Sequence, residues 1–215
     1  MTVFLEAHRL CYLSAPKVAC TSLKTMFFEI ENGFAFRAFR ANGEWRHIHN
    51  VCYPTIRFPK LPRRRIADWT RIAVVRDPVE RVLSAYGNRV CHHRELSEQA
   101  AGRRLRELGL PPDPDLDTFL DNFAAYRKAH HAVTDHLRPL TAFLGNEPGY
   151  FTRLYRFDDL PRLAGDVAAH AGCTATLPRL QTEGPKFSVG DLSRRQRERL
   201  REVYAYDYRI FGDWL

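Results

Sequence analysis

Tyr12-Leu-Ser-Ala-Pro-Lys-Val-Ala-Cys-Thr-Ser-Leu-Lys24 is the stretch whose reading decides the fold. Its start, taken back to Arg9 and on to Ser14, is a short apolar run without helical period, the pattern of a buried strand. Pro16 then disfavours helix immediately before it. From Leu23 the apolar residues fall at Leu23, Met26, Phe27 and Ile30, the i, i+3, i+4, i+7 face of an amphipathic helix. Thr21 and Ser22 are expected at the N-cap. The loop Ala15 to Thr21 therefore aims backbone N–H groups at whatever lies beyond the helix start, where the dipole is positive and anions bind. Lys17 adds a mobile cation, and Thr21 and Ser22 add hydroxyl donors. The ATP/GTP phosphate loop requires Gly-x-x-x-x-Gly-Lys-Ser/Thr; here the loop has no glycine and its lysine comes early. Taken alone, a capped helix with a solvated lysine accounts for the stretch equally well.

A second strand-to-helix junction follows at Ala73-Val-Val-Arg-Asp-Pro-Val-Glu-Arg-Val-Leu-Ser-Ala-Tyr86. Ile72 to Val75 reads as a buried strand. Asp77 fits an N-cap, Pro78 the first helical position, and Glu80 the far side of a capping box. Val79, Val82, Leu83, Tyr86 and Val90 form one apolar stripe. Ser84 lies seven residues past Asp77, on nearly the same helix face. Arg76 can fork onto a phosphate, and Ser84 can donate a hydroxyl to the same group. The plain alternative pairs Arg76 with a carboxylate and makes Ser84 a packing residue. Two such junctions in one chain suggest a nucleotide with phosphates at both ends.

Strands alternating with helices predict an α/β fold with a central, mainly parallel sheet flanked by helices. Ligands of such sheets bind at the carboxyl ends of the strands, where both junctions lie. Further along, helices are expected over about 97–108 and from Leu116 to Ala129, with a short one from Pro139 to Leu144. Tyr150 to Phe157 reads as a strand and Leu160 to Ala171 as a helix. Thr182 to Val189 reads as a loop carrying Lys186, and a Ser193/Gln196 capping box opens a closing helix. With 215 residues and no linker, a single domain over 1–215 is expected.

These two segments resemble the PAPS-dependent sulfotransferase superfamily, and within it the carbohydrate sulfotransferases typified by the heparan and chondroitin enzymes. Pro16-Lys-Val-Ala-Cys-Thr-Ser22 is similar to that family's 5′-phosphosulfate loop. Val75-Arg-Asp-Pro-Val-Glu-Arg-Val-Leu-Ser-Ala-Tyr86 is similar to its 3′-phosphate motif, and Tyr204-Ala-Tyr-Asp-Tyr-Arg-Ile-Phe211 to its closing segment. The resemblance implies a P-loop-NTPase-like three-layer fold and 3′-phosphoadenosine 5′-phosphosulfate (PAPS) as donor, with 3′-phosphoadenosine 5′-phosphate (PAP) as product. It implies that Lys17 contacts the bridging oxygen between sulfate and 5′-phosphate. Thr21, Ser22 and the backbone around Ala19 and Cys20 would hold the 5′-phosphate, and Pro16 and Val18 of the same loop are counted with them among the cofactor-binding residues. Arg76 and Ser84 would hold the 3′-phosphate, and Lys186 would reach the cofactor from its loop. No metal is required in principle, because cations and helix N-termini can offset the phosphate charge.

The acceptor hydroxyl needs a base, and histidine suits that role near neutral pH. Of nine histidines, His47 and His49 in Trp45-Arg-His-Ile-His-Asn50 lie between the two nucleotide motifs. As an alternating strand both would face one side. The family resemblance favours His49 as base, with His47 second; two surface histidines on a loop are the alternative. His136 either lines the acceptor pocket or is structural. His92-His93 and His130-His131 are doublets whose rings diverge on a helix, and no Cys-x-x-Cys or His-Glu-x-x-His spacing occurs, so no metal site is expected.

Composition sets the remaining bounds. Lys and Arg number 33 against 25 Asp and Glu, a net charge of +8, which suits an anionic cofactor and an anionic or carbohydrate acceptor. The arginines are scattered rather than arrayed on a recognition element, so no nucleic-acid partner is expected. Five widely spaced cysteines argue against a disulfide framework. No signal peptide or membrane-spanning run is visible, which predicts a soluble, cytoplasmic, bacterial-type form of the family with peripheral contact to a glycolipid surface left open. The expected acceptor is a carbohydrate or glycoconjugate hydroxyl, with a small natural product or lipid hydroxyl as the alternative. A nucleotide kinase would need the missing glycine loop. A binding module without catalysis would need an exposed aromatic or arginine surface. An inactive relative would have lost Lys17, Arg76 or Ser84.

Overall fold

The computed structural model describes residues 2–54, 56–180 and 183–215. They form two compact units, the first from residues 2–76, 140–180 and 210–215, the second from 77–139 and 183–209.

In the first unit, strands β1 (Thr2–Leu5), β2 (Leu10–Leu13), β5 (Thr70–Val75) and β6 (Arg153–Arg156) make one sheet in the order β1-β2-β5-β6. β2, β5 and β6 run parallel, with Leu10 opposite Thr70 and Ile72 opposite Arg153. The sheet is therefore mainly parallel, as expected. All of β2 and the last four residues of β5 are buried, which is why they read as unbroken apolar runs rather than alternating ones. β1 adds an antiparallel edge that the sequence reading did not separate from β2. A single 3₁₀ turn and Arg9 at φ 47 reverse the chain between them. Helix α1 (Cys20–Asn32) buries Leu23, Met26 and Phe27 against the sheet core, and the helix Leu160–Ala171 adds Leu163, Ala164 and Val167. A hairpin, β3 (Phe39–Ala41) and β4 (Glu44–Arg46), turns at Asn42 (φ 52) and Gly43 (φ 79), a left-handed pair suited to the strand twist. The short helix α2 (Ile48–Val51) follows it.

The second unit begins with α3 (Pro78–Ala85). Asp77 caps it, its carboxylate accepting from the amides of Val79 and Glu80, and Pro78 takes the first turn. The apolar stripe from Val79 to Val90 is buried as the spacing required. The segment resembling the family's closing stretch secures this cap: Tyr208 Oη donates to Asp77 Oδ2 at 2.8 Å, and Tyr204 Oη to the Leu137 carbonyl at 2.7 Å. Two expectations need correction. The helix predicted from Leu116 to Ala129 is broken at Asn122 into Leu116–Asp121 and Phe123–Tyr126. The helix implied by the stripe from Val79 to Val90 changes to π-helical turns over Tyr86–His92. Thr182, the first residue of the expected Lys186 loop, lies outside the described residues; the Ser193/Gln196 box is present.

Gly87 in the π turn and Gly184 (φ +87) face each other backbone to backbone. A Cβ on Gly87 would collide with the Pro185 carbonyl oxygen, and one on Gly184 with the Gly87 carbonyl. Gly87→Ala is expected to lower stability by about 1–3 kcal/mol, because backbone rather than a flexible side chain must yield. A thermal melt checks this; an unchanged midpoint would mean that the loop before Lys186 is free to retreat.

Candidate functional site

The loop between β2 and α1 has a backbone that the sequence did not announce. Lys17 sits at φ 65 and Ala19 at φ 60, so two non-glycine residues take the left-handed conformation within three positions. That conformation is uncommon outside glycine and marks strain held by surrounding structure. Ala19, not Thr21 or Ser22, is the N-cap of α1. The expected cap is thus two or three residues late, because the left-handed turn at Ala19 lets Cys20 start the helix. Thr21 and Ser22 consequently lie in the first turn, where backbone amides lack intrahelical acceptors. Pro16 and Val18 are buried and pin the loop, while Lys17 is half-exposed.

Because β2, β5 and β6 run parallel, their carboxyl ends open on one side. Arg76 follows β5 and Phe157 follows β6. The Arg76 guanidinium lies 4.2 Å from the Phe157 ring centroid, and its Nη1 approaches the Lys17 carbonyl at 3.4 Å. Arg76 is therefore held over an aromatic face beside the loop, which positions its fork. Ser22 is buried, and its Oγ accepts from the Leu180 amide at 3.2 Å, leaving its own proton to donate. Ser84 is carried on α3 in the second unit and is partly buried. Lys186 is exposed there, its ammonium 3.5 Å from the Glu183 carbonyl.

The two candidate bases occupy different environments. They do not lie on a strand, as the His-Ile-His alternation suggested. His47 is the N-cap of α2, its amide donating to Asn50 Oδ1 at 2.8 Å, and its exposed ring lies 6.2 Å from that of Trp45. His49 is inside α2 and turns toward α1. Its Nε2 is 2.9 Å from Thr21 Oγ1, in the expected phosphate loop, and its Nδ1 is 3.0 Å from Lys24 Nζ. Lys24 was not among the expected site residues. It is fully buried, and Nζ also donates to the Tyr53 carbonyl at 2.6 Å. Burial lowers its pKa to about 8, against opposing contributions from the Cys20 and Cys52 thiols. Tyr53 Oη in turn donates to Glu31 Oε2 at 2.7 Å. The signal for Lys24 was its place between Leu23 and Met26 on the buried side of α1, three residues after Thr21.

His136 is committed elsewhere. Its Nδ1 donates to the Ala132 carbonyl at 2.8 Å, so Nε2 carries the lone pair, and Arg89 Nε donates into it at 3.2 Å. Arg89 also pairs with Glu95 at 3.0 Å. All five cysteines are free, and burial pushes the Cys11 thiol up to about 12. Among the described residues, no group of three or more His, Cys, Asp and Glu is placed to hold a metal ion, and no helix is long and apolar enough to cross a membrane.

The donor set around the loop, a lysine, a guanidinium, two hydroxyls and first-turn amides, fits a polyanion. The Sulfotransfer_2 family model, described as "Sulfotransferase family", matches residues 1–212. The chain belongs to the sulfotransferase family. No curated protein and no solved structure gives a significant match. In this sulfotransferase Lys17, Thr21, Ser22 and Arg76 lie around the loop between β2 and α1.

Proposed function

We infer that this sulfotransferase moves the sulfuryl group of PAPS to an acceptor hydroxyl, with His49 as the base and Lys17 as the cation offsetting charge on the leaving group. The observation carrying this reading is the 2.9 Å contact between His49 Nε2 and Thr21 Oγ1, which sets an imidazole against the phosphate loop. When bound, PAPS supplies the transferable sulfuryl group. Thr21, Ser22 and the amides from Val18 to Ser22 are assigned to its 5′-phosphate. Arg76 is assigned to the 3′-phosphate, as is Ser84 on the strength of the motif alone; Lys186 is a further cofactor contact on the same footing. Donors fixed in place before the reaction stabilise developing charge without reorganisation at that moment. No role is assigned to a metal. The whole chain is read as one catalytic domain, a reading supported by the family match over residues 1–212.

Two acceptor classes have support. A carbohydrate or glycoconjugate hydroxyl follows from the resemblance to the heparan and chondroitin enzymes. An amphiphilic alcohol with an apolar body is favoured by a groove of about 640 Å³ walled by Phe28, Phe34, Phe36, Phe39 and Val51, with Arg37 as its charged member. Phe28 lies one helical turn beyond Lys24 on the same helix, α1, so one wall of the groove belongs to the helix that carries the lysine beside His49. The test incubates the protein with PAPS and two acceptor sets, uronic-acid oligosaccharides and aryl or alkyl alcohols bearing an anionic group. Mass spectrometry then reads sulfated product and PAP. Sulfation of either set supports transfer and selects the class; PAPS left intact with both sets would contradict the proposed reaction.

A further inference from the structure

We propose that Lys24 is a positioning residue that sets which nitrogen of His49 carries the proton, and thereby whether His49 can act as a base. This rests on the reading of His49 as base. The argument starts from donor and acceptor counts. An ammonium has only donors. While Lys24 is charged, its Nζ occupies both the Tyr53 carbonyl and His49 Nδ1, so Nδ1 must present a lone pair. A neutral His49 then holds its proton on Nε2 and donates it toward Thr21 Oγ1. In that tautomer Nε2 has no lone pair for an acceptor proton. When Lys24 becomes an amine, Nζ can still donate to Tyr53 and can accept from Nδ1–H. Nε2 is then a base.

Proton transfer balances within the pair. The acceptor O–H bond breaks, its electron pair stays on the attacking oxygen, and an Nε2–H bond forms. The Nδ1–H bond breaks and a third Nζ–H bond forms, so the hydroxyl proton ends as positive charge on Lys24. The pair regains its starting tautomer when Nε2 releases its proton to solvent and the third Nζ proton passes back to Nδ1. The pKa of Lys24, lowered by burial to about 8, keeps both of its forms within reach near neutral pH. The other groups facing the pair are the Cys20 thiol of α1 and the Cys52 thiol after α2. The Cys52 thiol is itself raised by burial and by Glu31. Tyr53, raised by burial and its bond to Glu31, stays neutral throughout. Two interacting groups titrate as a unit, so the switch belongs to the pair.

The direct test is ¹⁵N NMR of the His49 ring in the ligand-free, full-length protein from pH 6 to 10, on wild type, Lys24→Met and Lys24→Arg. The wild type is expected to show an unprotonated Nδ1 once the ring is neutral, with Nδ1 protonation appearing as pH rises through about 8. Lys24→Met should lose the change near pH 8, and Lys24→Arg should keep Nδ1 unprotonated throughout. In turnover, kcat should rise with pH through the same range in wild type. In Lys24→Met the rising limb should move down out of that range, with KM for PAPS little changed. A wild-type ring with no tautomer change near pH 8 overturns the proposal without recourse to any variant, as does a Lys24→Met limb that stays in place. If instead His49→Ala keeps full turnover while the tautomer change is present, the reading of His49 as base fails, and the role of Lys24 in catalysis fails with it.

Discussion

His49→Ala is expected to lower kcat by about a hundred- to ten-thousand-fold, the usual contribution of a positioned general base, while affinity for PAP stays close to wild type. The separation follows from geometry. His49 reaches the loop through Thr21 Oγ1 from α2, whereas the groups assigned to the phosphates sit on the loop itself and on Arg76. Removing the imidazole also leaves Lys24 Nζ with one fewer partner in a fully buried site, so the variant's melting temperature should be recorded beside its kinetics. His47→Ala is the control. His47 caps α2 and lies beside Trp45, so its loss should leave turnover nearly intact. If the His47 variant loses turnover and the His49 variant keeps it, the roles are reversed.

Lys17→Ala is expected to cost about a hundred- to a thousand-fold in kcat, the scale on which removal of one fixed donor to developing charge is felt. The backbone makes a second variant informative. Lys17 is held at φ 65, a conformation that alanine tolerates no better than lysine, while glycine adopts it freely. Lys17→Gly therefore relaxes the loop as well as removing the cation. If both variants lose turnover to the same degree, the ammonium is what matters. Turnover retained in Lys17→Gly but not in Lys17→Ala would make the loop's conformation the essential feature. Rapid-quench kinetics with saturating PAPS distinguishes these outcomes from weakened binding.

Much of this fold is legible in the sequence. β2, β5 and α3 declare themselves because each has one strong local determinant: unbroken apolar runs for the strands, and Asp77-Pro78 for the helix start. The helix Leu160–Ala171 was readable to its ends because Pro161 lies in its first turn and Gly172 takes φ 67 just past its last residue. What escaped was set by tertiary contact. The alternation of His47, Ile48 and His49 has the period of a strand, yet Asn50 caps the His47 amide and Ile48 is buried, which draws the segment into one helical turn. The left-handed Lys17 and Ala19 are invisible in a loop without glycine. Nothing in the composition of a basic chain marks Lys24 as buried. Its burial follows from its neighbours Leu23 and Met26 facing the core and from the Tyr53 carbonyl waiting for a donor.

Arginines illustrate the same limit from the other side. Arg194 pairs with Glu198, and Arg103 and Arg104 with Glu107, all on exposed helix surfaces, where such pairs contribute little to stability. Those basic clusters need no anionic ligand to explain them. Arg76 differs in being stacked on Phe157 and directed at the Lys17 loop.

The central claim, a donor site for PAPS, is tested most directly by calorimetric titration of the metal-free protein with PAP, beside ATP and AMP, in wild type and Arg76→Ala. PAP is expected to bind far more tightly than ATP or AMP. Arg76→Ala should weaken PAP by about 1.5–3 kcal/mol, the worth of a charge-assisted hydrogen bond. No heat with PAP, or equal binding of ATP, would contradict the account.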